Sequence, residues 1–224
     1  MKASPLQNQR VLAVDPYDQG LGFAVLEGPD LIDWGLKHAE NRSGACYTEF
    51  LAKLIQRYEP DILITEDGAR QGSNRRLRSR LTLRRIERFA KRHRVRVRTY
   101  SRAAVEDTFA LVGASKNKHQ IATAIANWFP ELAARLPKPQ KPWTGENRTM
   151  NVFDAVSFAL TFFHRENISS LTARRSPQPS LSAGMTGSVS PGYDQDEEDA
   201  RRLSFPISAF PSSRPEKIAP KFFM

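Results

Sequence analysis

The chain has 224 residues, of which 40% are hydrophobic, and its 34 Lys and Arg against 24 Asp and Glu give a formal net charge of +10. This composition is typical of a globular protein, and no stretch approaches the roughly 18 apolar residues of a membrane helix. The single cysteine, Cys46, excludes an internal disulfide and, with only four histidines, a cysteine-histidine zinc framework. Residues 1–10 lack the apolar run of a secretory signal, so we expect a cytoplasmic protein with no membrane partner.

The first part of the chain predicts three strands, a helix and a fourth strand. Residues 10–16 form a short apolar run, and residues 22–28 and 31–35 follow it across turn residues, which predicts an antiparallel meander. Apolar residues then recur at helical spacing over residues 47–58, which indicates an amphipathic helix. A second apolar strand, residues 61–66, follows directly.

The next part predicts more helix and one further strand. Residues 75–93 have the pattern of an arginine-rich helix, and residues 94–100 alternate as a half-exposed strand does. Helices are predicted over residues 101–111 and 118–129, and a nearly apolar helix over residues 151–163. This order of elements predicts an α/β fold in which helices cover a mixed sheet.

The composition changes near residue 165. Residues 166–224 contain seven prolines and eleven serines, with an acidic run at 194–199. Such a segment has too few apolar residues to offset the entropy of ordering it. We therefore predict a folded domain over residues 1–165 and a disordered tail over residues 166–224, which is available to a protein partner.

Positive charge is concentrated in residues 70–102, which hold fourteen Lys and Arg and a single acid, Glu87. This excess indicates a nucleic-acid partner, because each basic side chain placed on a phosphate releases counterions. A solvated, arginine-rich helix face is the alternative interpretation. The candidate phosphate-binding residues are Arg70, Arg75, Arg76, Arg78, Arg80, Arg84 and Arg85.

Three carboxylates occupy positions that suggest chemistry. Asp15 and Glu66 end the two apolar strands, and Asp154 is the only charge in the apolar helix. Each alone has a structural explanation, such as closing a turn. Together they would repel one another unless cations bind among them, and Mg²⁺ and Mn²⁺ prefer oxygen ligands. Two such ions can activate a water and stabilise the leaving oxygen of a phosphodiester, so the pattern favours a nuclease.

Five short segments, in chain order, resemble a known family. They are Val11-Leu-Ala-Val-Asp-Pro16, Gly20-Leu-Gly-Phe-Ala-Val25, Ile64-Thr-Glu66, Val112-Gly113 with Lys118-His-Gln-Ile121, and Asp154-Ala155. Over residues 10–165 this succession resembles the RuvC-like Holliday junction resolvases of the RNase H-like superfamily. The resemblance implies a mixed five-stranded sheet with helices on both faces.

The resemblance also implies a site and a substrate. Asp15, Glu66 and Asp154 would bind two Mg²⁺ (or Mn²⁺) ions, and Lys118 would contact the cleaved phosphate. The family implies a homodimer that cuts four-way DNA junctions, and the helix over residues 75–93 would offer Leu77, Leu81 and Leu83 to the partner copy.

Two positions depart from the family pattern. Asn151 stands where the resolvases commonly carry a fourth acid, and it is a neutral oxygen ligand; Ala69 replaces an aromatic residue. We expect a metal-dependent endonuclease that resolves DNA junctions in recombination and repair. A nuclease that processes structured RNA and a catalytically silent nucleic-acid-binding module are the alternatives.

Overall fold

The computed structural model describes residues 9–38, 44–68, 77–114, 117–139 and 147–175. Five strands and six helices lie in these ranges. Their bounds are β1 Arg10–Tyr17, β2 Gly20–Glu27, β3 Asp30–His38, α1 Gly44–Tyr58, β4 Ile62–Glu66, α2 Leu77–Arg92, β5 Arg96–Tyr100, α3 Arg102–Ala110, α4 Lys118–Trp128, α5 Pro130–Ala133 and α6 Met150–Arg175.

The five strands form one mixed sheet in the order β3-β2-β1-β4-β5. β1 pairs antiparallel with β2, which pairs antiparallel with β3, and this confirms the predicted meander. β4 runs parallel to β1, and β5 runs parallel to β4. Parallel neighbours require a crossover. The chain passes from β1 to β4 through β2, β3 and α1, and from β4 to β5 through α2.

Each face of the sheet buries its own hydrophobic core. Val11 and Ala13 of β1 belong to the core formed with α3, α4, α5 and α6. Leu12 and Val14, which point to the other face, belong to the core formed with α1 and α2. Burial on both faces explains why β1 is a continuous apolar run. The prediction of a mixed five-stranded sheet with helices on both faces is confirmed.

The last predicted strand begins two residues later than expected because α2 ends in a left-handed turn. Arg94 has φ 60°. The amide of Val95 donates to the carbonyl of Ala90 at 3.0 Å, and that of Arg94 donates to Lys91 at 3.1 Å. This pair of hydrogen bonds is a Schellman motif, which satisfies the final carbonyls of a helix. It ends α2 and turns the chain into β5.

Two features of the later chain differ from expectation. The short helix α5 was not predicted, and it begins with Pro130 at a position that needs no amide donor. The helix α6 continues to Arg175, past the predicted boundary at residue 165. Most of the predicted tail, residues 176–224, lies outside the described residues. No helix in the described ranges is long and apolar enough to cross a membrane.

Candidate active site

Asp15 and Glu66 lie on the same face of the sheet. The parallel register places Val11 beside Ile62 and Ala13 beside Ile64. Since alternate residues of a strand point to the same side, Asp15 continues the row of Val11 and Ala13, and Glu66 continues that of Ile62 and Ile64. These rows pack against α6 and its neighbours. Asp15 is 1% exposed, and Glu66 is half-buried at the end of β4.

A glycine brings the start of α6 against this edge of the sheet. Gly22 is paired with Asp15 in the β1–β2 register. A Cβ atom added to Gly22 would lie 2.5 Å from the main-chain carbon and oxygen of Asn151. Only glycine therefore lets β2 and the first turn of α6 approach this closely. The contact places Asn151, and one turn later Asp154, in the layer that Asp15 and Glu66 face.

Asp154 is buried and forms ion pairs with two basic side chains. Its residue is 5% exposed, and its Oδ2 accepts a hydrogen bond from Lys118 Nζ at 3.0 Å. Its Oδ1 accepts a hydrogen bond from Arg102 Nη1 at 2.5 Å. Burial by itself raises the pKa of Asp154, but the charges and hydrogen bonds of Lys118 and Arg102 outweigh it and lower the pKa below its ordinary value. Asp154 is therefore ionised in the folded chain.

Arg102 and Lys118 are each the first residue of a helix. Ser101 caps α3, with its hydroxyl accepting from the amide of Ala104 at 3.2 Å, and Asn117 caps α4 in the same manner at 2.9 Å from the amide of His119. A positive side chain is unfavourable at this end of a helix dipole. The carboxylate of Asp154 offsets that cost for both helices, and it ties α3 and α4 to α6.

Arg102 is the functional candidate that the sequence prediction missed. It is the last residue of the basic block, and Ser101 before it identifies it as the first residue of a helix. Nothing in the sequence shows that it faces a carboxylate 52 positions later. Arg102 also lies 3.6 Å from Glu106, one turn along α3, while its Nη2 atom is buried and has no hydrogen-bond partner among the described residues.

The other polar residues of α6 have local roles. The side-chain nitrogen Nδ2 of Asn151 donates to the carbonyl of Arg148 at 2.8 Å, which leaves the side-chain oxygen as the atom that can bind a cation. Ser157 donates to the carbonyl of Asp154, and Thr161 donates to that of Ser157. Serine and threonine commonly bond to the preceding turn in this way. These two hydroxyls are therefore satisfied within the buried helix itself.

The oxygen ligands on this side of the sheet are of the kind that a hard cation prefers, but the carboxylates of Asp15, Glu66 and Asp154 do not form one cluster. Asp15, Glu66 and Asp154 supply carboxylate oxygens, and Asn151 supplies an amide oxygen, which are the ligand types that Mg²⁺ and Mn²⁺ prefer. Among the described residues, however, no group of three or more His, Cys, Asp or Glu side chains is placed to hold a metal ion. Asp154 instead binds Lys118 and Arg102.

The predicted arginines fall in two places. Arg80 donates from Nε to the carbonyl of Gly68 at 3.0 Å, near the end of β4. Arg84 and Arg85 are exposed on α2, which packs on the face of the sheet opposite to α6. Arg70, Arg75 and Arg76, and the side chain of Arg78, lie outside the described residues, as does Ala69.

The expected dimer contact on α2 is only partly available. Leu81 is 55% exposed, Leu83 is fully buried, and the side chain of Leu77 lies outside the described residues. Leu83 packs over Gly68, where an added Cβ would lie 2.7 Å from its Cδ1. Leu83 therefore belongs to the fold of the single chain, and the prediction that it contacts a partner copy is wrong.

Comparison with known proteins identifies the fold through structure alone. No family model and no curated protein sequence matches the chain. Thermus thermophilus RuvC in complex with a Holliday junction substrate superposes with a TM-score of 0.52 at 16% identity, covering 71% of this chain and 96% of that one. The yeast mitochondrial Holliday junction resolvase Ydc2 superposes with a TM-score of 0.50 at 11% identity, covering 76% of this chain and 87% of that one.

The chain therefore has an RNase H-like fold of the resolvase kind. A second structure of Thermus thermophilus RuvC matches over the same shares of the two chains, with a TM-score of 0.51 at 18% identity. The predicted resemblance to the RuvC-like resolvases is confirmed for the fold, which is what a likeness at such identities shows.

Proposed function

We propose that this chain is a metal-dependent endonuclease that cleaves phosphodiesters in branched DNA, with resolution of Holliday junctions as its reaction. The observation that carries the proposal is the placement of Asp15 and Glu66 on one face near the carboxyl ends of the adjacent parallel strands β1 and β4, in the layer where α6 presents Asp154. The likeness of the fold to RuvC in complex with a Holliday junction supports branched DNA as the substrate.

In this proposal Asp15, Glu66 and Asp154, with the side-chain oxygen of Asn151, hold two Mg²⁺ or Mn²⁺ ions. Bound divalent ions supply an activated water and stabilisation of the leaving oxygen. The side chains of this chain position the ions and the phosphate. Asp15 is almost fully buried, so the surrounding packing restricts the positions that its carboxylate can take.

Lys118 and Arg102 have a second role when substrate binds. The phosphate brings a negative charge to the two cations that now neutralise Asp154. Transfer of their hydrogen bonds from the carboxylate to the phosphate oxygens releases Asp154 as a ligand. Lys118 is suited to this exchange because its side chain is 41% exposed, against 7% for that of Asp154.

The remaining partners follow from the charge and the fold. Arg80 would contact phosphates beside the end of β4, and Arg70, Arg75, Arg76 and Arg78, whose side chains lie outside the described residues, remain candidate phosphate contacts on their charge alone. Arg84 and Arg85 would contact nucleic acid on the other layer. A homodimer would supply two such sites to the two cleaved strands of a junction.

The test is cleavage of an end-labelled four-way DNA junction beside a linear duplex, a single strand and a structured RNA, in Mg²⁺ or EDTA. We expect paired, metal-dependent nicks in the junction that disappear in Asp154→Asn. Thr161→Val is the matched control, because Thr161 lies on the same buried helix and its hydroxyl bonds to the carbonyl of Ser157 rather than to Asp154. Cleavage by Asp154→Asn at the wild-type rate contradicts the proposed mechanism, and cleavage of the RNA alone assigns the chain to RNA processing.

A catalytically silent nucleic-acid-binding module is the second candidate. It is favoured by the pairing of Asp154 with two cations and by the lack of a three-carboxylate group among the described residues. The two candidates differ in metal binding. A nuclease gains thermal stability with Mg²⁺ or Mn²⁺ through ligand linkage, whereas a silent module binds the junction with no gain and no cleavage in either metal.

A further inference from the structure

A cleft of about 830 Å³ lies between α1 and α2, on the layer opposite to the carboxylates. Arg84, Arg85, Arg88 and Arg92 of α2 line it, and all four are exposed. Asp18, in the turn after β1, is the acidic side chain among the described residues that line it. The cleft is therefore strongly positive.

The arginines of the cleft are not used by the fold. No ion pair joins any of the four guanidinium groups to an acidic side chain in the described parts of the chain. Like charges gathered on one helix face destabilise that helix. An anion in the cleft would remove this repulsion, and an arginine fork is well matched to phosphate oxygens.

The spacing of the arginines indicates an extended anion. Arg84, Arg88 and Arg92 recur at every fourth residue, so successive side chains are about 6 Å apart along the axis of α2. A single phosphate ion would engage one or two of them. A chain of phosphates, such as a nucleic acid strand, can engage all three in succession.

The apolar part of the cleft indicates an unpaired base. Phe89 is half-buried and lines the cleft between Arg85 and Arg92, and Leu81 at its rim is 55% exposed. The bases of a duplex are stacked inside the helix and cannot enter a cleft of this kind. A base of a single strand can stack on an aromatic ring while its phosphates lie on arginines, as in other single-strand binding grooves.

We propose that the cleft between α1 and α2 binds an unpaired strand of nucleic acid, with phosphates on Arg84, Arg88 and Arg92 and a base against Phe89. The inference rests on the proposed nucleic-acid partner but not on the proposed catalysis. Asp18 is three residues from Asp15, so one end of the cleft lies near the edge of the sheet that carries the carboxylates. A strand bound in the cleft would be held close to the proposed site of cutting.

The test uses the full chain and a fluorescent oligothymidine, which has no base pairs, with fluorescence anisotropy as the measurement. The cleft variant is R84Q/R88Q/R92Q, and the control K53Q/R57Q/K91Q removes the same charge from exposed residues outside the cleft. We expect the cleft variant to bind at least tenfold more weakly than the wild type and the control to change much less. The slope of the salt dependence should become shallower by about 0.7 for each phosphate that an arginine no longer neutralises.

A second variant tests the base contact. Phe89→Leu keeps an apolar side chain in the cleft, and we expect it to weaken oligothymidine binding about tenfold, which is the size of one base-stacking interaction. Binding of a linear duplex should be unchanged. The inference is overturned if the cleft variant and the control are weakened equally, or if duplex competes as well as oligothymidine. A third outcome would assign the cleft to an acidic peptide instead. In that case the wild type binds a peptide of residues 194–199, and the cleft variant loses this peptide but binds oligothymidine as the wild type does.

The failure of this inference and that of the proposed function are distinguishable. Asp154→Asn should abolish cleavage and keep oligothymidine binding, because Asp154 lies in the other layer. If the cleft variant binds oligothymidine as the wild type does, the proposed binding site is wrong, but the proposed cleavage of junctions is unaffected. If Asp154→Asn cuts junctions normally, the catalytic proposal is wrong, but the binding results for the cleft are unaffected.

Discussion

Lys118 Nζ lies 3.0 Å from Asp154 Oδ2, and this contact joins the first residue of α4 to a buried position of α6. Arg102, the first residue of α3, holds the other carboxylate oxygen. One carboxylate therefore links three helices. Because the same carboxylate is the proposed metal ligand, the stability of this layer and the chemistry of the site depend on the same group.

We expect Arg102→Met to lower the free energy of unfolding by about 2–3 kcal/mol, because breaking a buried ion pair leaves the carboxylate poorly compensated. Lys118→Met should cost only about 1 kcal/mol, since its side chain is 41% exposed and water screens the missing charge. Urea denaturation measures both. Arg98→Met, an exposed arginine on β5, is the control. Equal destabilisation in all three variants would show that Asp154 does not organise these helices.

Gly22→Ala should destabilise the fold by about 1–3 kcal/mol, the usual cost of overpacking. The new Cβ would meet the main chain of Asn151 at 2.5 Å, and a main chain can yield only if the start of α6 moves. We therefore expect junction cleavage to be abolished as well. Gly35→Ala is a matched control on β3, where the nearest atom is Cε1 of the Phe23 ring at 3.2 Å. A stable and active Gly22→Ala protein would contradict the close packing of β2 and α6.

Tyr58 should make the fold sensitive to alkaline pH. Burial, together with its hydrogen bond to Asp33 and the charge of that carboxylate, raises the pKa of Tyr58. Above about pH 10 the unfolded chain releases this proton while the folded chain keeps it, so the free energy of unfolding falls as pH rises, by up to about 1.4 kcal/mol per pH unit. Urea denaturation from about pH 8 to about pH 11, which spans the ordinary tyrosine pKa, measures this loss. The free energy of unfolding of Tyr58→Phe should fall less steeply with pH than that of the wild type. Parallel curves would show that Tyr58 titrates normally.

Metal binding should stabilise the wild-type chain through Asp15. At a free Mg²⁺ or Mn²⁺ concentration 100 times the dissociation constant, linkage raises the free energy of unfolding by about 2.7 kcal/mol. Asp15→Asn removes a proposed ligand, so its melting temperature should respond little to either ion. Differential scanning fluorimetry measures this response, and Glu131→Gln, an exposed acid on α5, should respond as the wild type does. An equal response in Asp15→Asn would place the ions elsewhere.

Much of the fold was predictable because local patterns carry it. The apolar run of β1 and the apolar stripe of α1 indicate which side chains face a core, because the spacing of apolar residues along the chain follows the geometry of a strand or a helix. The positions of Asp15 near the end of β1 and of Glu66 at the end of β4 were visible for the same reason. Arg94 shows the limit of such patterns, since its alternation with Val95 suggested strand while the capping hydrogen bonds of α2 set a left-handed turn.

The sequence by itself determined the elements, the acidic strand ends and the excess of arginine. Only the tertiary structure decided that Arg102 and Lys118 hold Asp154, because those contacts join residues 52 and 36 positions apart, and no local pattern encodes them. It also decided that Arg84 and Arg85 lie on the opposite layer from Asp154. The physical reason is that both faces of the sheet are buried, so helices close in sequence can pack on opposite faces. Which charged side chains come into contact then depends on how each helix packs.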